Sequence, residues 1–152
     1  MEYKVQPVLW QDASEQLKTL RKAVYVLEWR LPESTEFDKR DSKAVHVLLF
    51  SEDNTPVATG RLTRGGEIGR IAVLPSHRNL TVYKTLFAAL LRLADMHNID
   101  KIHLQSELGS VDYHREKGFQ PVGPVFMEAG IAMQKMVCQR QNFSYPDVRH
   151  IH

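Results

Sequence analysis

The sequence holds a single cysteine, Cys138, among 152 residues. One thiol cannot close an intrachain disulfide, so the expected compartment is reducing and cytoplasmic, with Cys138 a bystander rather than a nucleophile. Long hydrophobic runs are also missing. No stretch approaches the ~20 apolar residues of a membrane helix, and Met1-Glu2-Tyr3-Lys4 is not followed by the apolar segment of an export signal. Charge of one sign is not in excess either. A formal net charge of +2 is too small to hold nucleic acid through bulk electrostatics, and no aromatic-basic stripe replaces it. His150 and His152 stand two apart with no carboxylate cluster around them, which argues against a metal site. The expectation is a cytoplasmic protein with no membrane, nucleic-acid or metal partner.

What is present suits one domain. A chain of this length with 43% hydrophobic residues can bury a real core. Residues 3 to 9 alternate weakly as a short strand, and Asp12-Ala13-Ser14-Glu15 has the spacing of a capping box that opens a helix. Leu17, Leu20, Val24 and Leu27 then form one buried stripe, with Lys18, Arg21 and Lys22 between them, until Pro32. The charged stretch 33 to 43 has no period and reads as a loop over a site. Residues 44 to 50 are apolar on both faces, as in a strand covered on both sides. A second strand runs from 57 to 64. Gly65-Gly66 supplies two positive-φ positions for a tight hairpin, and 67 to 73 returns as the third strand of an antiparallel meander.

After Pro75, Val82, Leu86, Leu90 and Leu93 repeat at helical spacing as far as Asn98, and 101 to 105 is the next strand. A strand-helix-strand unit of this size implies a right-handed crossover and a parallel pair, giving an α/β fold with a mixed sheet. A short helix at 111 to 117 ends at Gly118, and strands follow at 119 to 122 and 131 to 137. Residues 138 to 152 lack periodicity. They are set apart from the domain, 1 to 137, as a tail or the stub of a longer chain.

In an open sheet with a parallel pair, ligands collect beyond the carboxyl ends of the strands, here between strands 67–73 and 101–105. The helix after Val73 turns unbonded N–H groups and its positive dipole end toward that crevice. Ser76-His77-Arg78-Asn79-Leu80-Thr81 adds a permanent cation and hydroxyls suited to anionic oxygens. Equally, Asn79 or Thr81 simply caps the helix and Arg78 is solvated.

Several segments in this order resemble the GNAT (Gcn5-related N-acetyltransferase) superfamily. They are Ile71-Ala72-Val73-Leu74-Pro75-Ser76-His77-Arg78, the helix behind it, and Tyr113-His114-Arg115-Glu116-Lys117-Gly118-Phe119. Residues 20 to 28, Asp38 with Asp41, His46-Val47-Leu48-Leu49, Ile68-Gly69-Arg70-Ile71 and Met127-Glu128-Ala129-Gly130-Ile131 resemble the small ElaA-like branch. The resemblance spans about residues 17 to 136. It implies transfer of an acetyl group from acetyl-CoA to an amine of a small molecule or protein. Ile71, Ala72 and Val73 would hold the pantetheine arm, and Arg78, Asn79, Leu80, Thr81, Val82, Tyr83 and Lys84 the phosphates.

The pattern departs from the family in places. Arg78 opens the phosphate motif, but Thr81 and Tyr83 take its glycine positions. His114 stands where the family's tyrosine protonates the leaving thiolate, with Tyr113 one place earlier. After Glu128, Ala129 and Met133 replace an aspartate and a histidine of the branch. The expected catalytic groups are His114 or Tyr113 as acid and Glu128 facing the substrate. Either Glu128 or His46 would serve as the base, although His46 reads first as a half-buried structural histidine. Glu67, beside Gly66, reads as a solvated hairpin flank. The alternative is a non-catalytic module of the same fold that binds acyl-CoA or a protein partner, and a homodimer is left open.

Overall fold

The computed structural model describes residues 2–147 and 150–152. Strand β1 (Lys4–Leu9) leads into helix α1 (Trp10–Arg21), which starts two residues ahead of the expected capping box. No side chain caps it, and Ala13 leaves helical geometry (φ −136°), so the regular turns begin just behind it. Over Lys22–Glu28 the helix widens to π geometry. The wider turn shifts the phase of the apolar stripe. Val24 and Tyr25 point inward, whereas Leu27, expected in the buried stripe, is 68% exposed.

Strands β2 (Val45–Phe50), β3 (Pro56–Leu62) and β4 (Ile68–Val73) form the expected meander, and β1 adds a fourth antiparallel strand on β2. At the β3–β4 turn only Gly66 has positive φ (97°). A Cβ there would lie 2.5 Å from the carbonyl oxygen of Lys101, a second reason for glycine. The two-residue turn with both φ values positive is Ala129-Gly130 (51° and 79°), joining β6 (Gln120–Glu128) to β7 (Ile131–Gln139). The first of these strands is longer than the sequence suggested. Pro121, Gly123 and Pro124 hide the alternation, and a register shift between Val122 and Phe126 absorbs them.

Helix α3 (Leu80–Met96) buries Val82, Leu86, Phe87, Leu90 and Leu93 against the sheet, matching the predicted stripe. Leu17 and Leu20 of α1 cover Leu48 on the opposite face, which explains the two-sided apolar character of β2. Strand β5 (Lys101–Glu107) follows α3, then the short α4 (Val111–Glu116). The expected parallel pairing of β4 with β5 reduces to one bridge, Glu67 with His103, and β5 belongs to a separate sheet of order β5-β7-β6. Beyond that bridge the strands diverge. Phe143 and Tyr145 pack on Phe87, and Ile151 is buried in the main core. Cys138 is buried, and burial pushes its thiol up to about 11.

The 33–43 stretch is a packed element rather than an open loop. Its short helix α2 (Glu33–Glu36) and the turn Asp41–Lys43 deliver Glu36 and Asp41 into the interior. There Arg21 donates from Nε to Glu36 (2.9 Å) and from Nη1 to Asp41 (2.7 Å). Arg61 bonds both Asp38 (2.8 Å) and Asp41 (3.0 Å). Burial alone would raise the Asp41 carboxyl, but the Arg21 bond and the charges of Arg21 and Arg61 hold it below the usual carboxylate range. His46 is fully buried, with Nε2 on the Asp41 carbonyl (2.9 Å) and the Trp10 ring beside it. Burial lowers its pKa, and it stands apart from the cavities that flank β4.

A buried charge stripped of its partner costs about 3–5 kcal/mol, whereas an exposed pair is worth ~0–1 kcal/mol. Arg21→Met is therefore expected to lower stability to urea by about 3–5 kcal/mol. Lys22→Met, which breaks the exposed pair with Glu33 (3.7 Å), is expected to leave it almost unchanged. Equal losses in the two variants would contradict a buried network as the keystone of this region.

Candidate active site

The site begins with a fault in the β3–β4 ladder. Thr59 pairs with Ala72 and Arg61 with Gly69, so Arg70 and Ile71 together face Gly60. This bulge puts Arg70 in left-handed geometry (φ 52°). Its side chain anchors the distortion, with Nε on the Glu36 carbonyl (3.1 Å) and Nη2 on Thr35 O and Asp38 Oδ2 (each 3.3 Å). The bulge turns both backbone groups of Ile71 away from β3. Its carbonyl accepts from the Tyr25 hydroxyl, and its N–H donates to the carbonyl of His152 at 2.6 Å. By strand alternation Val73 faces the same way, and its carbonyl accepts from Arg78 Nε (2.9 Å). Ala72 points its backbone toward β3.

Two cavities flank this edge and share Tyr25 and Trp29. The smaller, about 190 Å³, runs along Ile71 and Val73 to Arg78 and Tyr83. The larger, about 250 Å³, opens between β4 and β5 and is walled by Arg70, Gln105, Glu107, Ser110, Glu128 and Met133 among others. Glu128 is half-buried on that wall, and its carboxylate has no partner among the described residues. Burial drives the Tyr25 phenol well above its ordinary pKa, with the Glu36 charge adding to the effect, so it acts as a fixed donor.

At the helix end of the smaller cavity, Asn79 Oδ1 caps α3 by accepting from Val82 N–H (3.0 Å). The N–H groups of Leu80 and Thr81 have no partner among the described residues. Thr81 and Lys84 lie on the outer surface of this first turn, and Leu80 is exposed. Arg78 is already engaged. Both its terminal nitrogens meet the Glu28 carboxylate, at 2.8 and 2.5 Å. The Glu28 carboxyl is held below its usual range by those bonds. Such donors in one turn fit an oxyanion, and the Arg78 fork fits a phosphate as well as it fits a carboxylate.

His114 has a different setting from the one expected. It is 0% exposed, its Nδ1 meets Ser106 Oγ (2.8 Å), and its Nε2 has no partner among the described residues. Burial, reinforced by His150, lowers its pKa to about 4, so it is neutral near pH 7 and lies behind the cavity wall. Tyr113, one position earlier, is half-buried, its hydroxyl accepting from Asp147 N–H (2.7 Å) and its ring stacked on His150 (3.9 Å). Glu67 is buried rather than solvated, paired with Arg40 at 2.9 Å. Among the described residues no group of His, Cys, Asp and Glu could hold a metal ion.

The sequence reading missed Tyr25, Glu28, Glu36 and Arg70. Arg70 left a trace, as a charge in the middle of an otherwise apolar strand. Tyr25 and Glu28 lay in the segment 20 to 28 that resembles the branch but drew no site role, because helical spacing gives the inward place to Leu27, and Glu28, like Glu36, looks like any surface acid.

The low pKa of His114 links stability to pH. Its folded-state value lies below the ordinary 6.5, so its contribution is complete above about pH 6.5 and is lost as pH falls toward about 4. The unfolding free energy of the parent from urea titrations is expected to fall across that window, by up to about 3 kcal/mol from this group. His114→Gln should flatten that part of the slope. An unchanged slope would show that His114 does not titrate abnormally.

The comparisons with known proteins point the same way as the geometry. A family model described as the acetyltransferase (GNAT) domain matches residues 9–140. A Bacillus subtilis (strain 168) protein named as an acetyltransferase is 31% identical over 118 residues, covering 74% of this chain and 80% of its own. YjcF of the same organism, named as an uncharacterised N-acetyltransferase, is 28% identical over 130 residues, 81% of this chain and 92% of its own. Among solved structures, ElaA of Escherichia coli superposes with a TM-score of 0.69 at 25% identity, over 88% of this chain and 98% of that one. An N-acetyltransferase fold from Lactobacillus plantarum gives a TM-score of 0.75 at 20% identity, over 91% and 99%. The split between β4 and β5, the bulge beside it and the open helix end at Leu80 therefore belong to a chain of the acetyltransferase (GNAT) domain family.

Proposed function

We propose that this chain, an N-acetyltransferase that uses an acyl-CoA donor, takes acetyl-CoA as that donor and transfers the acetyl group to an amine. The observation that carries the reading is the bulge at Arg70 and Ile71. It presents the Ile71 and Val73 backbone to a cleft that ends at Arg78 and Tyr83, beside the first turn of α3 with its unbonded N–H groups at Leu80 and Thr81. The thioester supplies an electrophilic carbonyl and a thiolate leaving group; the chain supplies position, charge and proton transfer. Ile71 and Val73 are assigned to the amides of the pantetheine arm. Ala72, whose backbone serves β3, is left with a packing role beside them. Arg78, with the amides of the turn from Asn79 to Lys84, is assigned to the phosphates. Tyr83 stands beside Arg78 on the same cavity wall, so its hydroxyl takes the place of the family's close-approaching glycine backbone.

Glu128 is the acid assigned to the acceptor. It is an unpaired carboxylate on the larger cavity, whereas His46 is sealed behind Trp10 and Glu67 is spent on arginines. An ammonium with an ordinary pKa of about 10.4 must shed a proton before it can attack. Glu128 receives that proton directly or through water. Tyr113 replaces His114 as the donor to sulfur, because a buried imidazole with a pKa of about 4 carries no spare proton near neutrality. The demand is mild, since a thiolate with a pKa near ~8.5 is easily protonated.

The Arg78 contacts make the donor side testable by calorimetry. A charge-assisted bond to phosphate contributes about 1.5–3 kcal/mol, so Arg78→Ala is expected to weaken acetyl-CoA binding about tenfold or more. Glu28→Gln removes the competing carboxylate and should tighten binding instead. Matching losses in both variants would mean that the pair acts as one structural unit and not as a phosphate site with an internal competitor.

The acceptor side is tested by thiol release over a panel of amines. Glu128→Gln is expected to lower kcat/KM for the amine about 10²-fold while leaving acetyl-CoA affinity intact. Unaltered turnover in that variant would remove Glu128 from the reaction.

A further inference from the structure

The outward N–H of Ile71 is already taken by the carbonyl of His152, and the residues around that contact form more than a chance touch. Ile151 is buried in the main core. His150 bonds Ser110 Oγ through Nδ1 (2.8 Å) and stacks on Tyr113 with the rings 16° from parallel. The His152 imidazole bonds Glu36 Oε1 (2.7 Å) and lies 3.9 Å from the Tyr25 ring. Three consecutive residues are thus fastened to α4, the core, β4 and α2. All three also line the larger cavity.

We propose that residues 150–152 act as an intramolecular competitor of the acyl-CoA donor, occupying the β4 edge at Ile71 as a short segment that must leave before the pantetheine arm can pair there. The proposal rests on the donor reading above. Its physical basis is exclusion. Ile71 has one N–H, and while His152 accepts it at 2.6 Å no amide carbonyl of a ligand can. The segment copies what an extended ligand arm would do at an open strand edge, a main-chain hydrogen bond with flanking side chains in pockets. It also adds an anchor that such an arm does not have, an imidazole on Glu36. Glu36 is 0% exposed and fixed by Arg21. Its second oxygen therefore stays in place to receive His152 each time the segment returns.

Apparent donor affinity then equals the intrinsic affinity reduced by the fraction of molecules whose cleft is open. If the segment is docked in about nine molecules of ten, removing it raises affinity about tenfold. No new contact with the donor is needed.

The test compares three proteins by calorimetric titration with acetyl-CoA: the whole chain, a chain ending at Asp147, and His152→Ala in the whole chain. None of them alters Arg78, Tyr113 or Glu128. The dissociation constant is expected to fall about tenfold or more on shortening, with His152→Ala in between. Without ligand, the Ile71 amide should exchange with solvent faster in the shortened chain than in the whole one. Circular dichroism and thermal melting check that each variant is folded. Should the shortened chain fail to fold, His152→Ala and Ile151→Asp carry the comparison. Equal or weaker affinity in folded variants overturns the competitor while leaving the donor reading intact. Absence of acetyl-CoA binding in all of them overturns both.

Discussion

A non-glycine residue in left-handed geometry costs roughly 1–3 kcal/mol and persists only where its surroundings fix it. At Arg70 the fixing is done through the side chain, which reaches the carbonyls of Thr35 and Glu36 and the carboxylate of Asp38. Those acceptors are immobile in turn, because Glu36 and Asp41 neutralise Arg21, and Asp38 and Asp41 neutralise Arg61. The chain of dependence runs from a buried charge network to a bulge, and from the bulge to the two backbone groups of Ile71 that face the cleft. A glycine at position 70 would adopt the same φ with less strain, yet it would forfeit the anchor. The network also accounts for the ordering of 33–43, a stretch with too few apolar residues to pack by hydrophobic burial.

The second constraint is helical. Widening α1 into π geometry at Lys22 brings Tyr25 into line with β4, so that its hydroxyl holds the Ile71 carbonyl. The same turn carries Glu28 to Arg78, across a separation of 50 residues. One irregularity in one helix thus supplies a wall, a donor and a counter-ion. Irregular turns of this type concentrate at functional sites because regular helix cannot place neighbours so closely.

Much of the fold was legible from spacing alone. Leu86, Leu90 and Leu93 announced α3, and the two-sided apolar run at 44–50 announced a covered strand. The order of motifs pointed to the family, and with it to the cleft after β4. Less visible was everything that depends on tertiary pairing of charges. Glu36 and Asp41 stood in a stretch read as a loop over a site and Arg21 between the stripe residues of a helix, because each is polar by itself and only their meeting makes burial possible. His114 misled for a related reason: its sequence position matches a catalytic tyrosine, whereas its chemistry is set by the burial that lowers its pKa. The phase shift at Lys22 and the bulge at Arg70 break the periods of 3.6 and 2 on which sequence reading relies.

Among the described residues, the strands of the two sheets pair at one place, the bridge between Glu67 and His103, next to a glycine whose missing Cβ lets Lys101 approach. From that point to Val73 the strand extends six residues, or about 20 Å at the rise of a β-strand. Along that length β4 keeps β3 as its partner on one side, while the space between β4 and β5 opens on the other. A rotation of about 5° at the bridge displaces the far end by nearly 2 Å over that length, about half the thickness of an acyl chain. The closed end is fixed by the close approach at that glycine and by the bond from His103 N–H to the Gly66 carbonyl (3.0 Å), which sets where the two strands begin to part.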